Sequence, residues 1–329
     1  MADRPALLTA KLRALVDAPR AEPAVFPGGA ALVDGSSVWL LLDVDPVTAL
    51  GPALVWGARR RADDVTLLVD GGTEAGVIAR RAALFSSPPT VLAVEGRSVV
   101  PAVAAPTPVP AEAPSAPELA ELLVDADLEV VIEDGIVRGE VLGLEVARIV
   151  HGSTTSGTPI AEPVLEVGVG KADREMTALV HAGLPPVEQL ARVRDIVLEQ
   201  RRPGAERHPL NQLAPERWLR SVLVRDPARV GCTELHAAPP AVPRPNLRDP
   251  AVAIARGRHQ SGDDTVVACS VGVLLDLVPA AADARAALSD GARLLLAVPE
   301  RDAHPVTSAL AERLLAPAEL VPVADDWRA

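Results

Sequence analysis

Residues 101–117 read Pro-Ala-Val-Ala-Ala-Pro-Thr-Pro-Val-Pro-Ala-Glu-Ala-Pro-Ser-Ala-Pro, a run that cannot enter a packed core. Proline removes a backbone donor and fixes φ, so such a stretch is extended and semi-rigid, reaching about 3.1 Å per residue. It divides the chain into an N-terminal α/β domain at 1–100, a Pro/Ala-rich linker at 101–117 and a mixed α/β domain at 118–329. A chain of 329 residues is also longer than one ordinary core requires.

Before the linker, a short amphipathic helix with Leu7, Leu8, Leu12 and Leu15 precedes a βαβαβ alternation. Its strands are Trp39–Asp43, Val65–Asp70 and Thr90–Val94, and its helices are 46–61 and 74–85. Short continuous apolar runs are what strands become when helices cover both faces of a parallel sheet. The C-terminal end, 265–323, repeats that βαβαβ alternation without a residue-level repeat. Between them the period changes: a helix at 117–124, a strand at 128–132, an Asp134-Gly135 hairpin turn, a long strand over 136–150 bent at Gly139 or Gly143, a loop, and a strand at 164–169. The expected fold is thus α/β: a small parallel βαβαβ domain, then a mixed domain with an αβββα core and a C-terminal βαβαβ unit.

Aromatic residues make up only 2% and tyrosine is absent, so the core is aliphatic. The net charge of -12 opposes a surface that coats nucleic acid, although a local contact stays open. Cys232 and Cys269 have no paired spacing and read as buried thiols. No apolar run approaches a membrane span and no leader-like segment opens the chain, so a cytoplasmic protein is expected. Oligomeric state is not legible.

Pro163-Val-Leu-Glu-Val-Gly-Val-Gly-Lys-Ala-Asp-Arg-Glu175 is the stretch where chemistry concentrates. Strand alternation puts Glu166 on one face with Gly168 and Gly170, and puts Glu145 on one face with Gly143 and Ala147. Lys171, one of two lysines, stands at the rim. If Glu145 and Glu166 converge they can share a divalent cation such as Mg2+; otherwise Glu166 is a carboxylate on the solvated face of an antiparallel sheet. A phosphate loop is excluded, because Leu165 and Ala172 replace the required Gly and Ser/Thr.

The αβββα order over 117–184 resembles the core of PD-(D/E)XK nucleases. That resemblance implies metal-assisted phosphodiester hydrolysis with Glu145, Glu166 and Lys171 as catalytic residues, Glu145 or Asp134 standing for the first acid. Leu-Leu-Leu-Asp43-Val-Asp45-Pro-Val47 resembles the opening motif of haloacid-dehalogenase-type phosphotransferases, which implies Asp43 as nucleophile and Asp45 as general acid.

From Glu188 to Arg229 nine arginines face six acids, the most basic part of an acidic chain. Here Trp218 anchors a helix, and Arg217 and Arg220 lie one turn apart. They can grip a phosphate or carboxylate together with His208 and Asn211, or bridge neighbouring glutamates. Because no catalytic motif is complete, the leading expectation is a protein that binds a small anion or an acidic partner through these helices. Hydrolysis at Glu145, Glu166 and Lys171 is the alternative, and phosphotransfer at Asp43 and Asp45 the second.

Overall fold

The computed structural model describes residues 4–153, 159–180, 183–202, 205–206, 208–244 and 246–328. The middle of the loop expected before the strand at 164–169, residues 154–158, lies outside the described residues. Among the described residues the protein is mixed α/β with three sheets, and its chain divides into two compact units. Unit 1 gathers Met1–Thr107 with Leu275–Gly291 and His304–Leu320; unit 2 gathers Pro108–Leu274 with Ala292–Ala303 and Val321–Ala329.

The N-terminal run is α1 (Arg4–Leu15), β1 (Glu22–Ala24), β2 (Gly29–Asp34), β3 (Ser37–Leu42), α2 (Leu50–Arg59), β4 (Asp64–Asp70), α3 (Gly72–Ala82), β5 (Thr90–Glu95) and β6 (Ser98–Pro101). These strands form one six-stranded sheet in sequence order. The expected parallel trio is its centre, β3–β4–β5. Three antiparallel strands flank it, because the tight turns at Gly35 and Gly96, both at positive φ, return the chain at once. The linker is extended and runs along α3. Ala105 N–H donates to Gly76 O, and a Cβ at Gly76 would lie 3.1 Å from the Val103 carbonyl, so a helical glycine here admits the passing chain.

Next come α4 (Pro117–Asp125), β7 (Glu129–Glu133), β8 (Ile136–Val141), β9 (Leu144–Ser153), β10 (Pro159–Val167), α5 (Gly170–Val180), α6 (Pro186–Gln200) and α7 (Pro215–Arg225). The single bent strand expected over 136–150 is instead the β8–β9 hairpin, so four antiparallel strands lie between α4 and α5. Leu142 and Gly143 both have positive φ, the signature of a two-residue turn matched to strand twist.

The chain ends with β11 (Cys232–Ala238), β12 (Ala253–His259), β13 (Asp264–Cys269), α8 (Leu277–Leu288), β14 (Arg293–Pro299), α9 (Pro305–Ala311) and β15 (Glu319–Val323). β11 to β15 form a five-stranded sheet in sequence order. β11 and β12 extend the expected βαβαβ pattern as an antiparallel meander, and β13–β14 is parallel. The order α7–β11–β12–β13–α8–β14–α9–β15 therefore repeats α1–β1–β2–β3–α2–β4–α3–β5. The two copies meet in unit 1 at equivalent places. Around an antiparallel bridge between Phe85 and Leu314, Ser86 N–H donates to Arg313 O and Leu315 N–H to Leu84 O, each at 2.9 Å.

Unit 1 also buries charge. Arg80 and Arg81 both hold the fully buried Asp283, at 2.8 and 3.0 Å, and Arg81 reaches Asp276 at 3.3 Å. Burial pushes the Asp276 carboxyl up to about 7, more than Arg81 offsets, with Asp283 adding repulsion. The folded protein thus keeps a proton that the unfolded chain releases near pH 4. Stability is expected to fall as pH rises from about 4 to 7 and then to level. Asp276→Asn should flatten that slope, worth roughly 2–4 kcal/mol at about 1.4 kcal/mol per unit of displacement, as checked by urea unfolding at pH 5 and pH 7.5.

Candidate functional site

The four-stranded sheet has two unlike faces. One is apolar: Val137, Gly139, Ala147, Ile149 and Val167 pack with Leu123 of α4 and with Leu190 and Val197 of α6. The other carries charge. Register pairs Glu129 with Glu140, Arg138 with Arg148, Glu140 with Glu145 and Arg148 with Glu166, and cross-strand partners share a face. A bulge causes this. Gly139 pairs with Ala147 but Glu140 with Glu145, leaving Val146 extra, so Glu145 leaves the face of Ala147, where plain alternation puts it, and joins the acids.

Glu145 and Glu166 do converge, and what they share is Arg174. Its guanidinium lies 3.1 Å from Glu145 and 3.3 Å from Glu166. Arg138 pairs with the other oxygen of Glu145, and Arg148 holds Glu166 at 2.7 Å. Lys171 points to solvent, 85% exposed, 3.8 Å from Glu175. Gly168 and Gly170 have positive φ and make the turn into α5 rather than a hollow beside Glu166; a Cβ at Gly168 would lie 2.8 Å from Arg174 N. Among the described residues no group of three His, Cys, Asp or Glu side chains is placed to hold a metal ion.

Arg217 and Arg220 project from α7 onto the same charged face. Each bonds both Glu133 and Glu140, closing a quartet whose four members are at most 3% exposed. Glu140 is held 3.1 Å from Arg217 and 2.8 Å from Arg220. Burial raises the Glu133 carboxyl, but Arg220, Arg217 and Arg138 together outweigh it and hold it below its ordinary value. Burial raises Glu140 beyond what its two arginines offset, with Glu133 and Glu129 repelling it. At the margin of this face, Glu129 accepts from Ser221 and Arg225. Arg217 and Arg220 are therefore committed to glutamates inside the protein.

A cavity of about 390 Å³ opens in unit 2 between α5, α6 and the segment 208–213. From α5 and its entry turn come Val169, Asp173 and Thr177, four apart on one helical face. α6 contributes Gln189, Val193 and Val197 at the same spacing, with Arg192 and Ile196 beside them. His208, Leu210 and Leu213 close it. The His208 Nδ1 accepts from Leu210 N–H at 3.3 Å, which leaves the ring proton on Nε2. Asn211 is not in the lining; its amide donates to Glu206 O, and its buried Oδ1 has no donor among the described residues.

Arg201 holds this segment in place, and nothing in its local sequence announces it. It is 1% exposed and donates to Leu142 O at 2.5 Å and to the Leu210 and Leu213 carbonyls. Burial lowers its pKa to about 10, and the nearby charges of Glu140 and Glu216 offset only part of that. The cavity wall thus depends on one guanidinium that also touches the β8–β9 turn.

In unit 1, Asp43 is bound by Arg4 and Asp70 by Lys11, both from α1. Asp45 sits at positive φ, its carbonyl accepting from Thr48. Cys232 and Cys269 are buried free thiols, and burial pushes the Cys269 thiol up to about 12. Among the described residues no helix is long and apolar enough to cross a membrane.

No family model matches this sequence, and no curated protein or solved structure gives a significant match to it.

Proposed function

We propose that this chain is a non-catalytic binding protein of the cytosol whose unit 2 cavity takes up a small molecule with an apolar body and an anionic group. The observation that carries this is the cavity itself. Its volume lies in the range of ligand sites, and an apolar lining with a few convergent polar groups is their usual chemistry. Arg192 supplies the anion contact: it lines the cavity and has no ion-pair partner among the described residues. The Nε2–H of His208 adds a donor.

The distribution of the other arginines favours a small ligand over an acidic protein or a nucleic acid. Among the other described arginines of 188–229, Arg201, Arg217 and Arg220 are buried and Arg194, Arg225 and Arg229 are paired with acids, which leaves Arg202 as the exposed one without an ion pair. Little uncommitted positive charge is left for an extended polyanion. Hydrolysis at Glu145 and Glu166 would require a metal to displace Arg174, and phosphotransfer at Asp43 would require that carboxylate to leave Arg4.

The anionic probe 8-anilinonaphthalene-1-sulfonate and the neutral N-phenyl-1-naphthylamine test the reading. The sulfonate should bind at one saturable site about three- to tenfold more tightly, the worth of one partly exposed charge contact. Arg192→Gln should erase that difference while leaving cooperative unfolding intact. Equal binding of the two probes by the unaltered protein would rule out an anion site.

A further inference from the structure

Arg192 is not the only unanswered charge at this cavity. Asp173 also lines it; one of its oxygens accepts from Val169 N–H at 2.7 Å, and it has no ion-pair partner among the described residues. The two residues come from different helices, α5 and α6, and no ion pair joins them. On the charged sheet face nearby the opposite holds: Glu145, Glu166, Arg138, Arg148 and Arg174 are mutually bonded. An acid and a base left separate at the same apolar cavity is the arrangement that a ligand carrying both charges completes.

We propose that the ligand is a zwitterion with an apolar side chain, of the α-amino-acid class. Its carboxylate meets Arg192 and the His208 Nε2–H, its ammonium meets Asp173, and its side chain enters the region lined by Val193, Val197, Leu210 and Leu213. A cavity of about 390 Å³ has room for an aromatic or branched amino acid. This rests on the cavity reading above and adds the ligand's second charge. A buried apolar side chain supplies most of the affinity and the two charge contacts supply selection, because a singly charged analogue leaves one of them unanswered.

Displacement of bound 8-anilinonaphthalene-1-sulfonate by L-phenylalanine, N-acetyl-L-phenylalanine and L-phenylalaninamide separates the possibilities. Phenylalanine should displace the probe at concentrations at least tenfold lower than either singly charged analogue. Asp173→Asn should remove its advantage over the N-acetyl compound, and Arg192→Gln its advantage over the amide. Both altered side chains are exposed, and each variant's thermal unfolding reports whether it is folded. If the N-acetyl compound competes as well as phenylalanine, or none of the three displaces a bound probe, the zwitterion assignment is wrong and the cavity reading stands. If the sulfonate does not bind the unaltered protein, both are wrong.

Discussion

Arg220→Ala is expected to cost about 3–5 kcal/mol of stability, because it strands carboxylate charge in a site closed to water. Arg220 touches one oxygen of Glu133 and one of Glu140, so its loss leaves both glutamates bonded to Arg217 alone, with Arg138 3.9 Å from Glu133 as the nearest other cation. The quartet is neutral as it stands, and neutrality is what makes its burial tolerable. Arg220→Met combined with Glu140→Leu leaves Arg217 and Glu133 as a matched pair, and this double variant should recover most of the loss. Thermal unfolding of the two variants beside the parent checks this. A single-variant loss below about 1 kcal/mol, the range of surface ion pairs, would show that the quartet is not sealed from solvent.

Gly143→Ala should be the other severe change, at about 2–4 kcal/mol. Two effects add. The φ of 75° is unfavourable for any residue with a Cβ. That Cβ would also lie 2.2 Å from the Arg217 carbonyl carbon, so the β8–β9 turn would have to withdraw from α7. The same contact holds Arg217 against the charged face, so the variant should also weaken the quartet. Chemical unfolding monitored by tryptophan fluorescence suits this test, since Trp218 and Trp327 pack edge to face in this unit's core. Gly139 makes a contrast: its Cβ would meet the flexible ends of Leu128 and Leu123, so Gly139→Ala should be milder.

How much of this was legible in the sequence depended on whether each signal was local. The parallel strands β3, β4 and β5 were legible because burial on both faces writes a continuous apolar run, and the Asp134-Gly135 turn because its residues carry the chemistry of the turn. The Leu142-Gly143 turn was not. Leucine at positive φ is disfavoured, and it is tolerated here because its side chain packs against two core clusters. With that turn unread, β8 and β9 merged into one strand. The bulge at Val146 then placed Glu145 on the opposite face from the one alternation assigns.

The charged face was hidden for a different reason. Glutamate and arginine alternating with valine and leucine describe a strand with one solvated side, and only α7, more than seventy residues later in the chain, turns that side into an interior. The pairing of Arg217 with Arg220 one turn apart was visible, and bridging glutamates was one of its two readings. The cavity left a partial trace in the four-residue spacing of Val169, Asp173 and Thr177 and of Gln189, Val193 and Val197. Its closure by 208–213 rests on Arg201 holding three distant carbonyls, a non-local arrangement without a motif.

A tryptophan at Val193 tests the central claim most directly, because an indole there fills the cavity while leaving Arg192, the quartet and the surface charges unaltered. Titration with 8-anilinonaphthalene-1-sulfonate should show saturable binding to the parent protein and none to Val193→Trp, with both unfolding cooperatively. Unchanged binding by Val193→Trp would contradict the account and move the ligand site away from α5 and α6.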